Sequence, residues 1–230
     1  MKLVVFDLDQ TLIDLLPVHE EATKRSFRAF FGVDARLSEI DFAGRSLDVN
    51  FAALAKLKGV PDGLFRKKSQ ELLRSYEVTF GEIIPKDASR YILPGATEIL
   101  EALSKTDNFV VLYTGNSPRV VSHIFAATGL GRYFKACFYG TEVSTRADMV
   151  RQAIDTAKRL TGRDFKGKEI VVIGDSIRDV ECGQQFGALT IAVATGFHSV
   201  AELSSYHPDY IFPHLKDYQR VLAAISLTNS

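Results

Sequence analysis

The sequence predicts an α/β protein: a doubly wound parallel sheet carrying an inserted all-helical unit. Three observations lead there. Six apolar runs, at residues 3–6, 109–113, 136–139, 170–173, 189–193 and 210–212, are of strand length and far too short to span a membrane. From the second run onward they alternate with helical patterns, the rhythm of parallel strands joined by right-handed crossovers. Between residue 14 and about residue 90 that rhythm stops, and only helical segments are legible.

Each element has its own signal. Leu3 to Phe6 is apolar without interruption, as a strand buried on both faces must be. Residues 18–31, 46–58 and 64–80 are the helical segments of the insertion, whose Phe27, Phe30, Phe31, Phe51, Phe65 and Phe80 read as its own core. The stretches 11–17 and 84–94, the second with two prolines, read as hinges. The chain thus divides into a core of residues 1–14 and 91–230 and a helical cap of residues 15–90. Pro94-Gly95 starts a helix back in the core, and Ser117-Pro118 reads as an N-cap followed by proline at the first helical position. The clearest helix follows Asp148, with Val150, Ala153, Ile154, Ala157 and Leu160 at helical spacing.

Composition narrows the function classes. Lysine plus arginine number 28, as do aspartate plus glutamate, so no overall basic field draws in nucleic acid or an anionic membrane. Cys137 and Cys182 suggest no disulfide framework and no zinc site, and read as small hydrophobes in a reducing compartment. Asp7 interrupts the first apolar run and argues against a signal peptide, so a cytoplasmic protein is expected. The histidines show no metal-ligand spacing; His19, near the first hinge, is assigned a structural role.

Carboxylates stand at predicted strand ends. The first run ends in Asp7-Leu8-Asp9-Gln10-Thr11, and alternation in an extended chain puts Asp7 and Asp9 on one side. Thr114-Gly115-Asn116 follows the second run, and Gly174-Asp175-Ser176-Ile177-Arg178-Asp179 follows the fourth. Ser144-Thr145-Arg146-Ala147-Asp148 precedes the clearest helix. In a parallel sheet all of these reach one edge, where open α/β sheets bind their ligands. Two carboxylates about 4 Å apart repel by roughly 4 kcal/mol at an effective dielectric near 20. Asp7, Asp9, Asp175 and Asp179 together therefore call for a cation, and an all-oxygen donor set suits Mg²⁺. Thr114 offers a hydroxyl and Gly115 a close backbone approach to phosphate oxygens, while Arg146 supplies positive charge. A carboxylate nucleophile among such groups is arranged for an aspartyl-phosphate intermediate.

With these motifs in this order, the chain resembles the haloacid dehalogenase-like (HAD) superfamily, in its phosphoglycolate-phosphatase-like branch with a helical cap after the first strand. The resemblance implies a Rossmann-like core and a phosphatase acting on a small phosphorylated metabolite, phosphoglycolate-like or a sugar phosphate. By it, Asp7 is the nucleophile and Asp9 the general acid and then base. Asp7, the backbone carbonyl of Asp9, and Asp175 hold Mg²⁺. Thr114, with Gly115 and Asn116, binds the transferring phosphoryl group, and Asp179 supports the metal site or orients the basic residue. The family usually carries a lysine where this chain has Arg146, which keeps the charge and adds a bidentate fork. Gly44-Arg45-Ser46, between cap helices, is placed to reach the substrate when the cap closes, with Arg45 as a substrate-binding candidate. Three alternatives are a phosphomutase of the same fold, a 2-haloacid dehalogenase, and a phosphate-binding module without turnover. The dehalogenases lack the second acid, so Asp9 argues against that reading.

Overall fold

The computed structural model describes residues 1–143 and 145–226. Its centre is a parallel sheet of six strands: β1 (Leu3–Phe6), β2 (Phe109–Thr114), β3 (Ala136–Tyr139), β4 (Ile170–Gly174), β5 (Leu189–Val193) and β6 (Tyr210–Phe212), in the order β3-β2-β1-β4-β5-β6. All six predicted apolar runs are strands, β2 and β4 each reaching one residue further. Leu3 pairs with Phe109 on one side and Ile170 on the other, so β1 lies at the middle with its carboxyl end flush with those of β2 and β4.

Alternation along the strands sorts side chains onto two faces. Val4, Phe6, Val110, Leu112, Val171 and Ile173 join one apolar cluster; Leu3, Val5, Val111, Tyr113, Ile170 and Val172 join the other. Asp7 continues the second series, the face covered by α6 (Arg146–Thr161) and α7 (Ile177–Gln185). That parity decides which helices can offer Asp7 a partner. The other core helices are α4 (Ala96–Ser104), α5 (Pro118–Thr128), α8 (Val200–Ser205) and α9 (Tyr218–Ser226).

Between β1 and α4 the described residues form helices α1 (Leu16–Phe31), α2 (Leu47–Leu57) and α3 (Asp62–Ile83) and short 3-10 turns, with no strand. Phe27, Phe51 and Phe80 are buried there, with Phe30, Phe31 and Phe65 packed against them. The apolar cluster of this insertion is continuous with one face of the sheet, since Leu15, Val18, Tyr76 and Phe80 share it with Phe6 and Leu112. No helix among the described residues is long and apolar enough to cross a membrane.

Three local readings are corrected. Helix α1 starts at Leu16 rather than at residue 18, because Pro17 fits the first turn, where no amide is needed. Helix α6 starts at Arg146, ahead of Asp148, because Thr145 caps it while Asp148 returns a bond to the Thr145 amide. Leu160, taken as part of the buried stripe of α6, is exposed, one residue short of the helix end. Ser144, which was read with the motif ahead of α6, lies outside the described residues.

Candidate active site

Asp7 extends β1 by one more ladder bond, its amide donating to the Ile173 carbonyl at 2.9 Å. Its carboxylate thereby stands beside the N-termini of α6 and α7. Arg146, the first residue of α6, fills the space between them: Nη2 donates to Asp7 Oδ1 at 2.5 Å, and Nε donates to Asp179 Oδ1 at 2.9 Å. Nη1 donates to the Gly44 carbonyl at 3.1 Å, and the guanidinium lies 4.2 Å above the Tyr113 ring. One fork thus ties together the central strand, α7, the insertion and β2. Arg146 is nearly buried and is no solvated surface charge.

Asp179 is held from every side. It occupies the third position of α7, where the Ser176 amide and hydroxyl donate to Oδ2 at 2.9 and 2.6 Å, while the Tyr113 hydroxyl and Arg146 donate to Oδ1. Burial pushes its carboxyl up, but Arg146, Ser176 and Tyr113 outweigh burial and hold it below the usual range. Asp179 is an ionised carboxylate that fixes Arg146 in place.

Asp7 and Asp175 are in the opposite state. Burial pushes the Asp7 carboxyl up to about 8; Arg146 opposes this, and Asp179 and Asp9 add to it. Asp175 is pushed well above the carboxylate range by burial and then by Asp7. Asp7, Asp175 and Asp179 each present an oxygen within 4.8 Å of the others, a separation at which each ionised pair costs about 3 kcal/mol at an effective dielectric near 20. One arginine cannot neutralise three carboxylates, so a hard divalent cation fits this donor set by charge and by ligand type. Asp175 is itself fixed, accepting from Thr11 Oγ1 at 3.2 Å, and only glycine fits at Gly196, where a Cβ would lie 1.8 Å from Asp175 Oδ2.

Asp9 faces away from that cluster. Gln10, with a left-handed φ of 61°, turns the chain back so that Asp9 bridges to Ile13. Asp9 Oδ2 accepts from Asn116 Nδ2 at 2.5 Å, and Oδ1 lies 3.0 Å from His19 Nε2, whose Nδ1 is 2.5 Å from the Tyr76 hydroxyl. The two acids of the first motif therefore share a cavity but not their partners.

Thr114 is fully buried, its Oγ1 accepting from the amide and side chain of Asn116, both at 3.2 Å. Its own hydroxyl proton remains available to an acceptor. Gly115 lies under residues 41–46 of the insertion: its carbonyl accepts from the Leu47 amide at 3.0 Å, and a Cβ there would meet the Arg45 carbonyl at 2.2 Å. Arg178 of α7 clasps the same segment, donating to Asp41 Oδ2 at 2.5 Å and to the Ala43 carbonyl at 2.6 Å. The insertion is thus closed onto the sheet edge over a cavity of about 70 Å³ that Asp7, Asp9, Gly115, Asn116, Arg146 and Asp175 line.

These distances bring Asp7, Asp175, Asp179, Arg146 and Thr114 to one edge as the sequence leads one to expect. Arg45 lines the same cavity, its Nη2 donating to Asp41 at 3.0 Å. The contacts of Asp9 with His19 and Asn116 are the part that sequence reasoning missed. His19 lies in α1 beside the buried Val18, Ala22 and Thr23, and its partner Tyr76 is 57 residues away. The capping patterns Thr145-x-x-Asp148 and Ser176-x-x-Asp179 are local signals that would have placed α6 and α7 at the site.

A family model described as haloacid dehalogenase-like hydrolase matches residues 1–187. The chain belongs to the haloacid dehalogenase-like hydrolases. Among curated relatives of this family, a phosphoglycolate phosphatase of Vibrio parahaemolyticus is 24% identical over 229 residues, covering 97% of this chain and 96% of that protein. The pyrophosphatase PpaX of Oceanobacillus iheyensis is 22% identical over 220 residues, covering 94% of each. Two solved structures share the fold. A predicted phosphoglycolate phosphatase from Haemophilus somnus superposes with a TM-score of 0.76 at 20% identity, covering 96% of this chain and 98% of its own. A β-phosphoglucomutase from Clostridium difficile superposes with a TM-score of 0.79 at 13% identity, covering 98% and 97%.

Proposed function

We propose that this HAD-family enzyme is a Mg²⁺-dependent phosphatase that hydrolyses a small phosphomonoester through an aspartyl-phosphate intermediate on Asp7. The observation that carries the reading is the division of the two acids. Asp7 sits in a buried carboxylate cluster beside a fixed arginine, while Asp9, on the same cavity, is held by His19 and Asn116. The first group suits a nucleophile, the second a proton carrier.

In the first half-reaction an Asp7 oxygen attacks phosphorus, the bond to the ester oxygen breaks, and Asp9 gives its proton to the leaving alkoxide. In the second, Asp9 takes a proton from water as that water attacks phosphorus, and the Asp7–phosphorus bond breaks to release phosphate. Asp7 must be ionised to begin, yet burial, only partly offset by Arg146, raises it to about 8. Asp7, the Asp9 carbonyl and Asp175 would hold Mg²⁺, which would supply positive charge that favours ionised carboxylates and offsets charge on the phosphoryl oxygens. Arg146 adds a second positive charge at Asp7, and Asp179, Tyr113 and the Gly44 carbonyl keep its fork aligned. Thr114 donates its hydroxyl proton, and Gly115 and Asn116 close the phosphoryl pocket from the β2 end.

In this reading residues 15–90 act as a cap on a core of residues 1–14 and 91–230. Closure of the 41–46 segment over Gly115 excludes bulk water and brings Arg45 to the leaving-group side. The cytoplasm, where phosphorylated metabolites are held, is the compartment the reading assigns. The names of the curated relatives support a small phosphorylated substrate.

The test is phosphate release from para-nitrophenyl phosphate and from a panel of phosphorylated metabolites. Release with Mg²⁺ that is lost in EDTA and in Asp7→Asn supports the reading. Isomerisation of a sugar phosphate without phosphate release, or turnover that persists in Asp7→Asn, overturns it.

A further inference from the structure

Gln10 holds a backbone conformation that glycine would adopt more easily. With φ at 61°, it shares a positive φ only with His207 among the described non-glycine residues. Such conformations persist where the surroundings over-determine them, and they gather at active sites. Three hydrogen bonds do so here. The Gln10 amide donates to the Ile13 carbonyl at 2.7 Å, its carbonyl accepts from the Thr195 hydroxyl, and its side-chain Nε2 donates to Asp14 Oδ1 at 2.7 Å. A glycine could make the first two and would take this φ without strain. Only the third needs the glutamine side chain.

That third bond leads into the base of the insertion. Asp14 Oδ1 also accepts from the amide of Leu16, the first residue of α1, at 3.2 Å. The Asp14 amide donates at 2.9 Å to the carbonyl of Tyr91, where the chain returns from the insertion. Beside it the Leu93 amide donates to the Leu12 carbonyl at 2.9 Å, and Ile13 bridges to Ile92. His19 lies in the first turns of α1, its Nε2 3.0 Å from Asp9 Oδ1. Gln10 is the chain neighbour of Asp9 and lines the same cavity. The links therefore close a ring, from Asp9 through Gln10 and Asp14 to the start of α1, and back through His19 to Asp9.

Resting on the phosphatase reading above, we infer that Gln10 is a positioning residue whose side chain fixes the start of α1 against the β1 loop, so that His19 holds Asp9 in place for proton transfer. Gln10 acts through Asp14 and His19 and needs no contact with the reacting atoms. The strained φ is the cost of a side chain at this point of the ring.

The experiment compares kcat/KM for phenyl phosphate and para-nitrophenyl phosphate, which are close in size. Phenoxide is the poorer leaving group and gains most from a proton, whereas para-nitrophenoxide leaves without one. Because kcat/KM reads only as far as the first irreversible step, loss of the Asp9 proton shows with phenyl phosphate and not with the nitro ester. Gln10→Gly removes the side chain and relieves the φ, so its urea midpoint is expected to hold or rise. Gln10→Glu keeps the length and the φ but sets a carboxylate in place of the donor to Asp14. Each is expected to lower kcat/KM for phenyl phosphate by about tenfold and to leave that for para-nitrophenyl phosphate within about twofold. Added to His19→Ala, Gln10→Gly is expected to change neither value by more than about twofold, because both substitutions break one ring. Equal losses on the two esters, activity retained on both, or a further tenfold loss in the His19→Ala background overturns the inference and leaves the phosphatase reading standing. If Gln10→Glu does not fold, Gln10→Gly decides alone. Absence of phosphate release from both esters in the wild type overturns the phosphatase reading and the inference with it.

Discussion

Replacing Arg146 with alanine tests the electrostatic logic of the site before any substrate is added. The substitution removes charge-assisted bonds to Asp7 at 2.5 Å and to Asp179 at 2.9 Å, and the stack 4.2 Å above Tyr113. Such bonds contribute about 1.5–3 kcal/mol each, and breaking a buried pair from one side costs about 3–5 kcal/mol, because the remaining charges stay buried. Against a total stability of about 5–15 kcal/mol, that loss is large but survivable. Its pH dependence is more telling. Without Arg146 the largest charge opposing burial at Asp179 is gone, and its carboxyl rises from where it is now held. A carboxyl held low gives stability that is present above its unfolded value and lost as pH falls through the folded value, so removing that hold costs more at high pH than at low pH. Urea unfolding in EDTA, followed by far-ultraviolet circular dichroism, is therefore expected to show a deficit of about 3–5 kcal/mol near pH 8 and a clearly smaller one near pH 5. A deficit below about 1 kcal/mol at both values, or a larger one at the lower pH, would refute the reasoning.

Three further outcomes are expected. In Gly115→Ala the new methyl meets the Arg45 carbonyl at 2.2 Å, so the insertion is held off the sheet edge. A fall in kcat/KM of about a hundredfold with an unchanged urea midpoint checks this, and full activity contradicts it. His19→Ala frees Asp9 on one side, and is expected to lower kcat by about tenfold while KM moves little, measured by steady-state phosphate release. Metal-free wild-type protein is expected to lose stability as pH rises from about 4 to about 8, because Asp7 is raised from 3.8 to about 8 and Asp175 is raised as well. Millimolar Mg²⁺ is expected to flatten that slope; a melting temperature that instead climbs over this range in EDTA speaks against the buried cluster.

The strands were legible because a parallel strand buried on both faces must be an unbroken apolar run, and Leu3 to Phe6 and Ile170 to Ile173 are such runs. Asp7, Thr114 and Asp175 were legible for a related reason: each follows such a run, and a parallel sheet brings all of their ends to one edge. Arg146 was legible as a charge but not as a fork, since its partners lie 33, 102 and 139 residues away and are set by how α6 packs. The partners of Asp9 were hidden in the same way. Asn116 could be read as part of a turn, but only the closed insertion brings His19 and Tyr76 beside the acid.

The central claim is that Asp7 takes the phosphoryl group, and acid-quench trapping tests it most directly. Asp9→Asn, incubated with para-nitrophenyl phosphate and Mg²⁺, transfers to Asp7 without needing a proton for its good leaving group, and then lacks the base for hydrolysis. Peptide mapping after the quench is expected to find one phosphoryl group on Asp7, and none when Asp7→Asn is added to that variant. A phosphoryl group on another residue, or turnover with no covalent species in the quenched variant, would contradict the account.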